Sequence, residues 1–226
     1  MVPLCEEEMN SSQTCPLCCS RSCVQVDQTK KRRYIRCSDC QLVFVPLEEH
    51  ISVEQEKERY GLHENSNQSK SYRKYLSSIV NEIKSIHLDN LKILDFGAGE
   101  DFVLTRLLRE EGYDCQAYDP LYDLGLSSLT QKYDLIILCE VIEHLRQLRK
   151  ELELLKELLK PEGHIYIRTQ FYPATTALSS WWYTNDMTHI NFFSPETLKE
   201  VAQILNCSLL QHDDKQSAII GPRLNK

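Results

Sequence analysis

The sequence predicts an α/β fold, a mostly parallel sheet covered by helices on both faces, with a small cysteine-bearing module in front of it. Three observations predict it. From residue 91 onward, strand-length apolar runs alternate with segments of helical periodicity. The stretch Lys92-Ile93-Leu94-Asp95-Phe96-Gly97-Ala98-Gly99-Glu100-Asp101 reads as a strand, a glycine turn and the start of a helix. Two Cys-x-x-Cys pairs stand upstream, within the first 40 residues.

Residues 1–46 read as a zinc-ribbon-like module. Seven of the ten cysteines precede residue 41, and Cys15-Pro16-Leu17-Cys18 and Cys37-Ser38-Asp39-Cys40 are knuckles separated by 18 residues. Each knuckle places two thiolates on one tight turn, and two such turns complete the S₄ tetrahedron that Zn²⁺ accepts in structural sites. The expected ligands are Cys15, Cys18, Cys37 and Cys40, with Cys19 or Cys23 as substitutes. The plainer reading is a coincidental pair of dipeptides in a reduced protein. Four cysteines close the coordination shell, so the metal is expected to stabilise a segment too short for its own core, and chelation to spare most of the downstream chain. Short strands are expected at 22–27, 33–36 and 41–45.

Residues 47–90 read as a linker followed by a helix. The stretch 47–59 is polar and acidic, and Tyr60-Gly61-Leu62-His63-Glu64-Asn65 follows it. From 69 to 86, Tyr72, Tyr75, Leu76, Ile79, Val80 and Ile83 recur at helical spacing.

Residues 91–226 carry the alternation. Strands are expected at 93–95, 114–118, 134–139 and 164–168, and helices at 102–111, 145–160 and 195–205. Pro161 and Gly163 stop the second helix, and Ser194 caps the third. Two closing strands, 208–213 and 217–220, flank Asp213-Asp214-Lys215.

The glycine turn ends a strand and opens a helix, the place where nucleotide-like cofactors sit in open α/β sheets. Asp119, about 20 residues on, ends the next strand and is placed to accept hydrogen bonds from ribose hydroxyls. No glycine follows Gly99 until Gly112, unlike the G-x-G-x-x-G of dinucleotide sites, and this disfavours a dehydrogenase. Four pieces together resemble the class I S-adenosylmethionine-dependent methyltransferases: Ile-Leu-Asp-Phe-Gly-Ala-Gly (93–99), Tyr-Asp-Pro (118–120), Glu-Val-Ile-Glu-His-Leu (140–145) and Leu-Lys-Pro-Glu-Gly (159–163). The ribbon and the Tyr60–Asn65 stretch also resemble a bacterial zinc-ribbon subgroup. The resemblance implies a Rossmann-like seven-stranded sheet and S-adenosyl-L-methionine as cofactor. It places Asp95, Gly97, Ala98 and Gly99 against the methionine and sugar, Asp119 and Pro120 at the ribose, and Glu140 and Val141 on the methionine side. Asp101 departs from the family pattern, standing where a third glycine is usual; it narrows the loop, although an acid suits a helix start.

The segment 180–193 joins aromatics to polar groups beyond the strand expected at 164–168. His189 is the first candidate for a general base, with Asp186 as its orienter or a substrate acceptor and His144 nearby. The plainer reading is that these residues fix a loop. The expected reaction is methyl transfer to an O, N or C nucleophile of a small molecule, a sugar or other metabolite. The alternatives are an RNA or protein methyltransferase gripping its substrate with the ribbon, and a non-catalytic zinc-containing binding protein on the same scaffold. A net charge of −7 disfavours nucleic acid, and the Lys30–Arg36 stripe reads as solvated. The acidic N-terminus and the lack of a long apolar run lead us to expect a cytoplasmic protein with no membrane span.

Overall fold

The structure is a computed structural model that describes residues 14–61, 69–85, 91–173 and 176–223. Residues 1–13 of the ribbon-like module, Leu62–Asn65 of the Tyr60–Asn65 stretch and the Ile86 end of the expected helix lie outside the described residues.

Among the described residues, two sheets organise the chain. The ribbon supplies β1 (Cys23–Gln28), β2 (Arg33–Cys37) and β3 (Val43–Phe44). The linker holds α1 (Val53–Gly61), and α2 (Lys70–Lys84) follows, capped by the Ser69 side chain on the Tyr72 N–H. Then come β4 (Lys92–Phe96), α3 (Val103–Glu110), β5 (Asp114–Tyr118), β6 (Tyr133–Cys139), α4 (Leu148–Leu158), β7 (Leu159–Arg168), β8 (Asn191–Phe192), α5 (Pro195–Ile204), β9 (Ser208–His212) and β10 (Ser217–Gly221).

The main sheet runs β5-β4-β6-β7-β10-β9, with the first four strands parallel and β10 antiparallel to both of its neighbours. Among the described residues it has six strands, where seven were expected. Residues 119–132, between β5 and β6, form two short 3₁₀ turns, Pro120–Tyr122 and Leu126–Thr130. A single parallel crossover takes a dozen residues or more, so this segment cannot also lay down an outer strand.

The β6 run Leu135-Ile136-Ile137-Leu138 is buried throughout because its alternate side chains enter two cores. Leu135 and Ile137 pack with α2 and α3, and Ile136 and Leu138 pack with α4 and α5. The helix expected over 145–160 is shorter at both ends. Leu159 already pairs with Tyr133, and β7 passes through Pro161 and Gly163 with a register shift before His164 meets Leu135. Proline cannot supply the N–H that a continuing helix needs, and the irregular strand start absorbs it. The closing hairpin is as expected: Asp213 Oδ1 accepts the N–H groups of Lys215, Gln216 and Ser217 at 2.8–2.9 Å.

The ribbon is not set apart. β3 pairs with β8, a two-residue strand from the far end of the chain, and the sheet runs β1-β2-β3-β8. Leu17, Cys37, Cys40 and Leu42 share one apolar cluster with Leu148, Leu152 and Leu198. Among the described residues, no helix is long and apolar enough to cross a membrane.

Candidate active site

The β4–α3 turn is built as its glycines suggest. Gly97 and Gly99 take φ of +79° and +70°, and the Gly97 and Ala98 N–H groups donate to the Tyr118 carbonyl at 2.7 and 3.1 Å. A β-carbon on Gly97 would lie 2.6 Å from Val141 Cγ2, so the turn is seated directly on the segment after β6. Asp101 is not among the left-handed residues. The strained position is Phe102, at φ +36°, with the Arg106 guanidinium 4.4 Å from its ring centre. The usual third glycine is therefore not required at Asp101 by backbone conformation.

Asp119 closes the turn from β5. Its Oδ2 accepts the Gly99 N–H and its Oδ1 the Leu121 N–H, both at 2.9 Å. Burial raises its pKa against those two donors. Asp95 serves another purpose than expected: its Oδ2 takes the Thr105 N–H at 3.1 Å and the Thr105 hydroxyl at 2.7 Å, inside α3. It does not line the cavity, and burial raises its carboxyl to about 6.

A cavity of about 1070 Å³ opens beside the turn. Gly97, Ala98, Gly99, Asp119, Pro120, Glu140 and Val141 line the same space that His144, Asp186 and His189 line. Glu140 follows β6 at φ +54°, a costly conformation for a residue with a β-carbon. Its Oε1 accepts the Tyr75 hydroxyl of α2 at 2.8 Å, and its Oε2 lies 3.0 Å from the Tyr183 hydroxyl. One carboxylate thus ties α2, the end of β6 and the loop before β8.

Glu143 is fully buried behind the cavity wall. Its Oε1 meets the Tyr183 hydroxyl in a short contact, and its Oε2 has no hydrogen-bond partner among the described residues. Burial first, and then Glu140, hold its pKa well above the usual carboxylate range. His144 Nδ1 lies 3.1 Å from the Thr188 carbonyl, and His189 Nδ1 lies 2.7 Å from the Tyr183 carbonyl. A carbonyl only accepts, so each Nδ1 carries the hydrogen and each neutral ring has its lone pair on Nε2. The two rings are 4.7 Å apart, and burial lowers the His189 pKa.

Asp186 does not orient His189. Its Oδ1 accepts the Thr188 N–H at 3.0 Å and the Thr188 hydroxyl at 2.7 Å, and Oδ2 lies 3.4 Å from Arg59. Burial works against ionisation here, but the Thr188 donors outweigh it, with His189 and Arg59 adding, and bring the carboxyl down to about 2. The Tyr183 carbonyl sets the His189 ring instead.

The ribbon reaches this loop through Arg32. This residue was expected in a solvated stripe, but it is buried. Its Nη1 donates to the His189 carbonyl at 2.8 Å, and its Nη2 donates to the carbonyls of Asp186, at 3.0 Å, and Thr184. Arg33, its neighbour, pairs with Glu48 and Glu49.

The four expected cysteines come together. The Sγ atoms of Cys15, Cys18, Cys37 and Cys40 all lie within 4.8 Å of one another, with Cys15–Cys40 and Cys18–Cys37 at 3.5 Å. The knuckles repeat one geometry. Cys15 N–H bonds to Ser20 O and Cys37 N–H to Leu42 O, each at 2.9 Å. The residue after each knuckle, Cys19 or Gln41, sits near φ +60°. Four thiols and no nitrogen or oxygen donor suit Zn²⁺. Neither alternative, Cys19 or Cys23, belongs to this group of four, and Cys23 donates to the Ser20 carbonyl.

Sequence reasoning missed Tyr75, Tyr183, Glu143 and Arg32. The tyrosines were read for their apolar bodies, although a buried tyrosine hydroxyl needs a partner. Trp181 packs against Phe192, whereas Trp182 is 63% exposed at the cavity mouth.

A model of the methyltransferase domain family matches residues 68–212. No curated protein matches the chain. Among solved structures, the 1,6-didemethyltoxoflavin-N1-methyltransferase of Burkholderia thailandensis, with bound 1,6-didemethyltoxoflavin and S-adenosylhomocysteine, is similar at TM-score 0.53. It is 14% identical over 84% of this chain and 98% of that one. The magnesium protoporphyrin IX methyltransferase of Synechocystis PCC 6803, with S-adenosylhomocysteine, gives TM-score 0.49 and 15% identity over 75% and 93%. An O-methyltransferase family protein of Burkholderia thailandensis gives 0.47 and 16% over 70% and 62%. Against that structure and three others, the chain spans 55–62% of the neighbour's length. With most of its length matched by the family model and its sheet shared with the toxoflavin enzyme, the chain belongs to the methyltransferase domain family and has the fold of the class I S-adenosylmethionine-dependent enzymes.

Proposed function

We propose that the chain transfers a methyl group from S-adenosylmethionine to a nucleophile of a small molecule. One observation carries this reading: the glycine turn, Asp119 and the two histidines all line one cavity. At about 1070 Å³ it lies at the upper end of small-molecule sites, with room for a cofactor and a modest acceptor together.

The turn offers the residues for the cofactor. Gly97, Ala98 and Gly99 allow close approach of a ligand to backbone, and Asp119 keeps lone pairs for ribose hydroxyls beyond its two N–H bonds. Pro120, Glu140 and Val141 complete that side. The cofactor, when bound, supplies an electrophilic sulfonium methyl. The remaining work is alignment and removal of the acceptor's proton. His189 supplies the basic nitrogen, held in one tautomer by the Tyr183 carbonyl, while His144 stands beside it. Asp186 orders the loop and keeps a negative charge near the acceptor. The four-cysteine cluster is a structural zinc site with no open position. The boundaries 1–46, 47–90 and 91–226 describe the sequence's functional division, with the ribbon supporting the acceptor loop. Arg32 and Arg33 are engaged within the protein, which weighs against a nucleic-acid grip.

Calorimetry with S-adenosylhomocysteine, followed by a methyl-transfer screen of hydroxyl and amine metabolites, tests the reading. Binding is expected to be one to one, and His189→Ala to lower turnover about 100-fold or more with cofactor affinity unchanged. Near-normal turnover in that variant removes His189 from the reaction, and no binding of S-adenosylhomocysteine defeats the whole reading.

A further inference from the structure

We propose that Glu143, His144 and His189 form a site for one divalent first-row transition ion at the acceptor end of the cavity. One ligand atom from each lies within 4.8 Å of the others, and His144 Nε2 is 4.0 Å from Glu143 Oε1. Ligand atoms around such an ion stand roughly 3 to 3.5 Å apart, so small side-chain rotations close the set.

Three features separate this cluster from a chance grouping. Both Nδ1–H groups are bound to backbone carbonyls, of Thr188 and Tyr183, and this fixes each lone pair on Nε2. That is how proteins orient metal-binding imidazoles. Glu143 is fully buried and its Oε2 has no hydrogen-bond partner among the described residues, which is costly unless something else satisfies it. The single Tyr183 hydroxyl hydrogen is shared between Glu140 Oε2 and Glu143 Oε1, and a cation would take the place of the proton that Glu143 otherwise keeps beside Glu140. Two imidazoles and one carboxylate suit ions such as Mn²⁺, Fe²⁺, Co²⁺ or Zn²⁺, and three protein ligands leave positions open. The histidines line the cavity and Glu143 lies behind them, so those positions face the acceptor. Asp186 stays outside the set, engaged with Thr188 and Arg59.

The consequence for the acceptor rests on the methyl-transfer reading above, whereas the ion site does not. An acceptor hydroxyl on an open position gives its proton to water more readily. An oxygen lone pair then forms the O–C bond as the C–S bond breaks, and the C–S bonding pair stays on sulfur, which becomes a neutral thioether. With the ion bound, His189 Nε2 is a ligand and no longer the base, the acceptor's proton leaves to water, and the substrate class narrows to oxygen nucleophiles.

Manganese tests the site, because it favours nitrogen and oxygen donors over thiolates and bypasses the four cysteines. The full chain, brought to one zinc per chain so that the four thiolates take the zinc and no excess is left for the imidazoles, is titrated with Mn²⁺ while free aquo-Mn²⁺ is read by electron paramagnetic resonance. We expect one ion per chain, with affinity at least tenfold weaker in Glu143→Gln and in His189→Ala. Pulsed spectra of the wild-type complex should show two imidazole nitrogens coupled to manganese, a readout that needs no variant. No bound Mn²⁺ at about 1 mM, unchanged affinity in both variants, or spectra without imidazole coupling overturn the proposal. S-adenosylhomocysteine binding is measured alongside. Cofactor binding without manganese removes the ion site and leaves the methyltransferase reading, and manganese without cofactor does the reverse.

Discussion

Replacing Asp95 by asparagine should remove a pH dependence of stability that the wild type carries. Asp95 is 2% exposed and both of its hydrogen bonds come from Thr105, a neutral residue. Burial, with Asp119 adding, raises its carboxyl from 3.8 to about 6. Between those values the folded protein keeps a proton that the unfolded chain has released. Stability therefore falls as pH rises through this window, and the penalty is complete above pH 6. A shift of about two units corresponds to roughly 3 kcal/mol, of which about 2 kcal/mol falls between pH 4.5 and 7. Asparagine keeps an oxygen for the two Thr105 donors and has no charge to bury. The variant's stability relative to wild type should thus rise by about 2 kcal/mol across that range, whatever constant offset the amide introduces. Urea unfolding of both proteins at several pH values, followed by tryptophan fluorescence, measures the difference directly. A difference that stays flat from pH 4.5 to 7 would falsify the assignment of Asp95 as a buried acid held only by Thr105.

Gly97→Ala combines a left-handed φ of +79° with a β-carbon 2.6 Å from Val141. A loss of about 2 to 4 kcal/mol in thermal melts and weaker S-adenosylhomocysteine binding are expected. Adding Val141→Ala should recover the clash but not the backbone strain, and full recovery would show that the φ requirement is unimportant. Gly125→Ala places a β-carbon 1.9 Å from the Ala117 carbonyl oxygen at φ +74° and should fold poorly; a melting temperature like the wild type's would contradict this turn geometry. Arg32→Ala leaves carbonyls of the 184–189 loop without donors, at a cost of about 2 to 4 kcal/mol. It should raise the acceptor KM while S-adenosylhomocysteine affinity holds, and Arg32→Lys should recover little because an ammonium lacks the guanidinium fork.

What was legible in the sequence is what local chemistry specifies. Strand β6 could be read because burial on both faces makes four consecutive residues apolar. The glycine turn, the four thiols and the Asp213 hairpin each depend on residues close in sequence. What escaped depends on distant partners. β8 is two residues long, has no periodicity of its own, and exists because β3 offers it an edge. Arg32 sits in a run of four basic residues, and nothing local distinguishes the one that is buried from those in solvent. Glu143 read as one polar residue of a motif, yet its burial arises from the loop that Tyr183 and His189 bring across from beyond β7. That no seventh strand joins the sheet among the described residues was a question of length, since residues 119–132 are too few for two crossovers and a strand.

The structural zinc proposed for the four-cysteine cluster can be tested by chelation, which also bears on how the ribbon supports the 181–193 loop. Taken as an independent module, the ribbon would unfold on chelation and leave the rest intact. The contacts argue for a different outcome. β3 is hydrogen-bonded to β8, the Val45 N–H donates to the Ile190 carbonyl at 2.9 Å, and Arg32 holds the 184–189 carbonyls. On the other side, Arg149 of α4 donates to the Leu17 carbonyl at 3.3 Å, inside the first knuckle. Loss of metal should therefore spread to the acceptor loop, which carries His189, and stop short of the glycine turn, which rests on β5 and Val141. Hydrogen exchange of the metal-depleted chain should quicken across residues 181–193 and stay slow across β4 to β6. The acceptor KM should rise several-fold while S-adenosylhomocysteine affinity changes little. Unchanged exchange at 181–193 in demonstrably metal-free protein would mean that the ribbon's metal does not support the acceptor loop, and that Arg32 and the β3–β8 pairing hold it unaided.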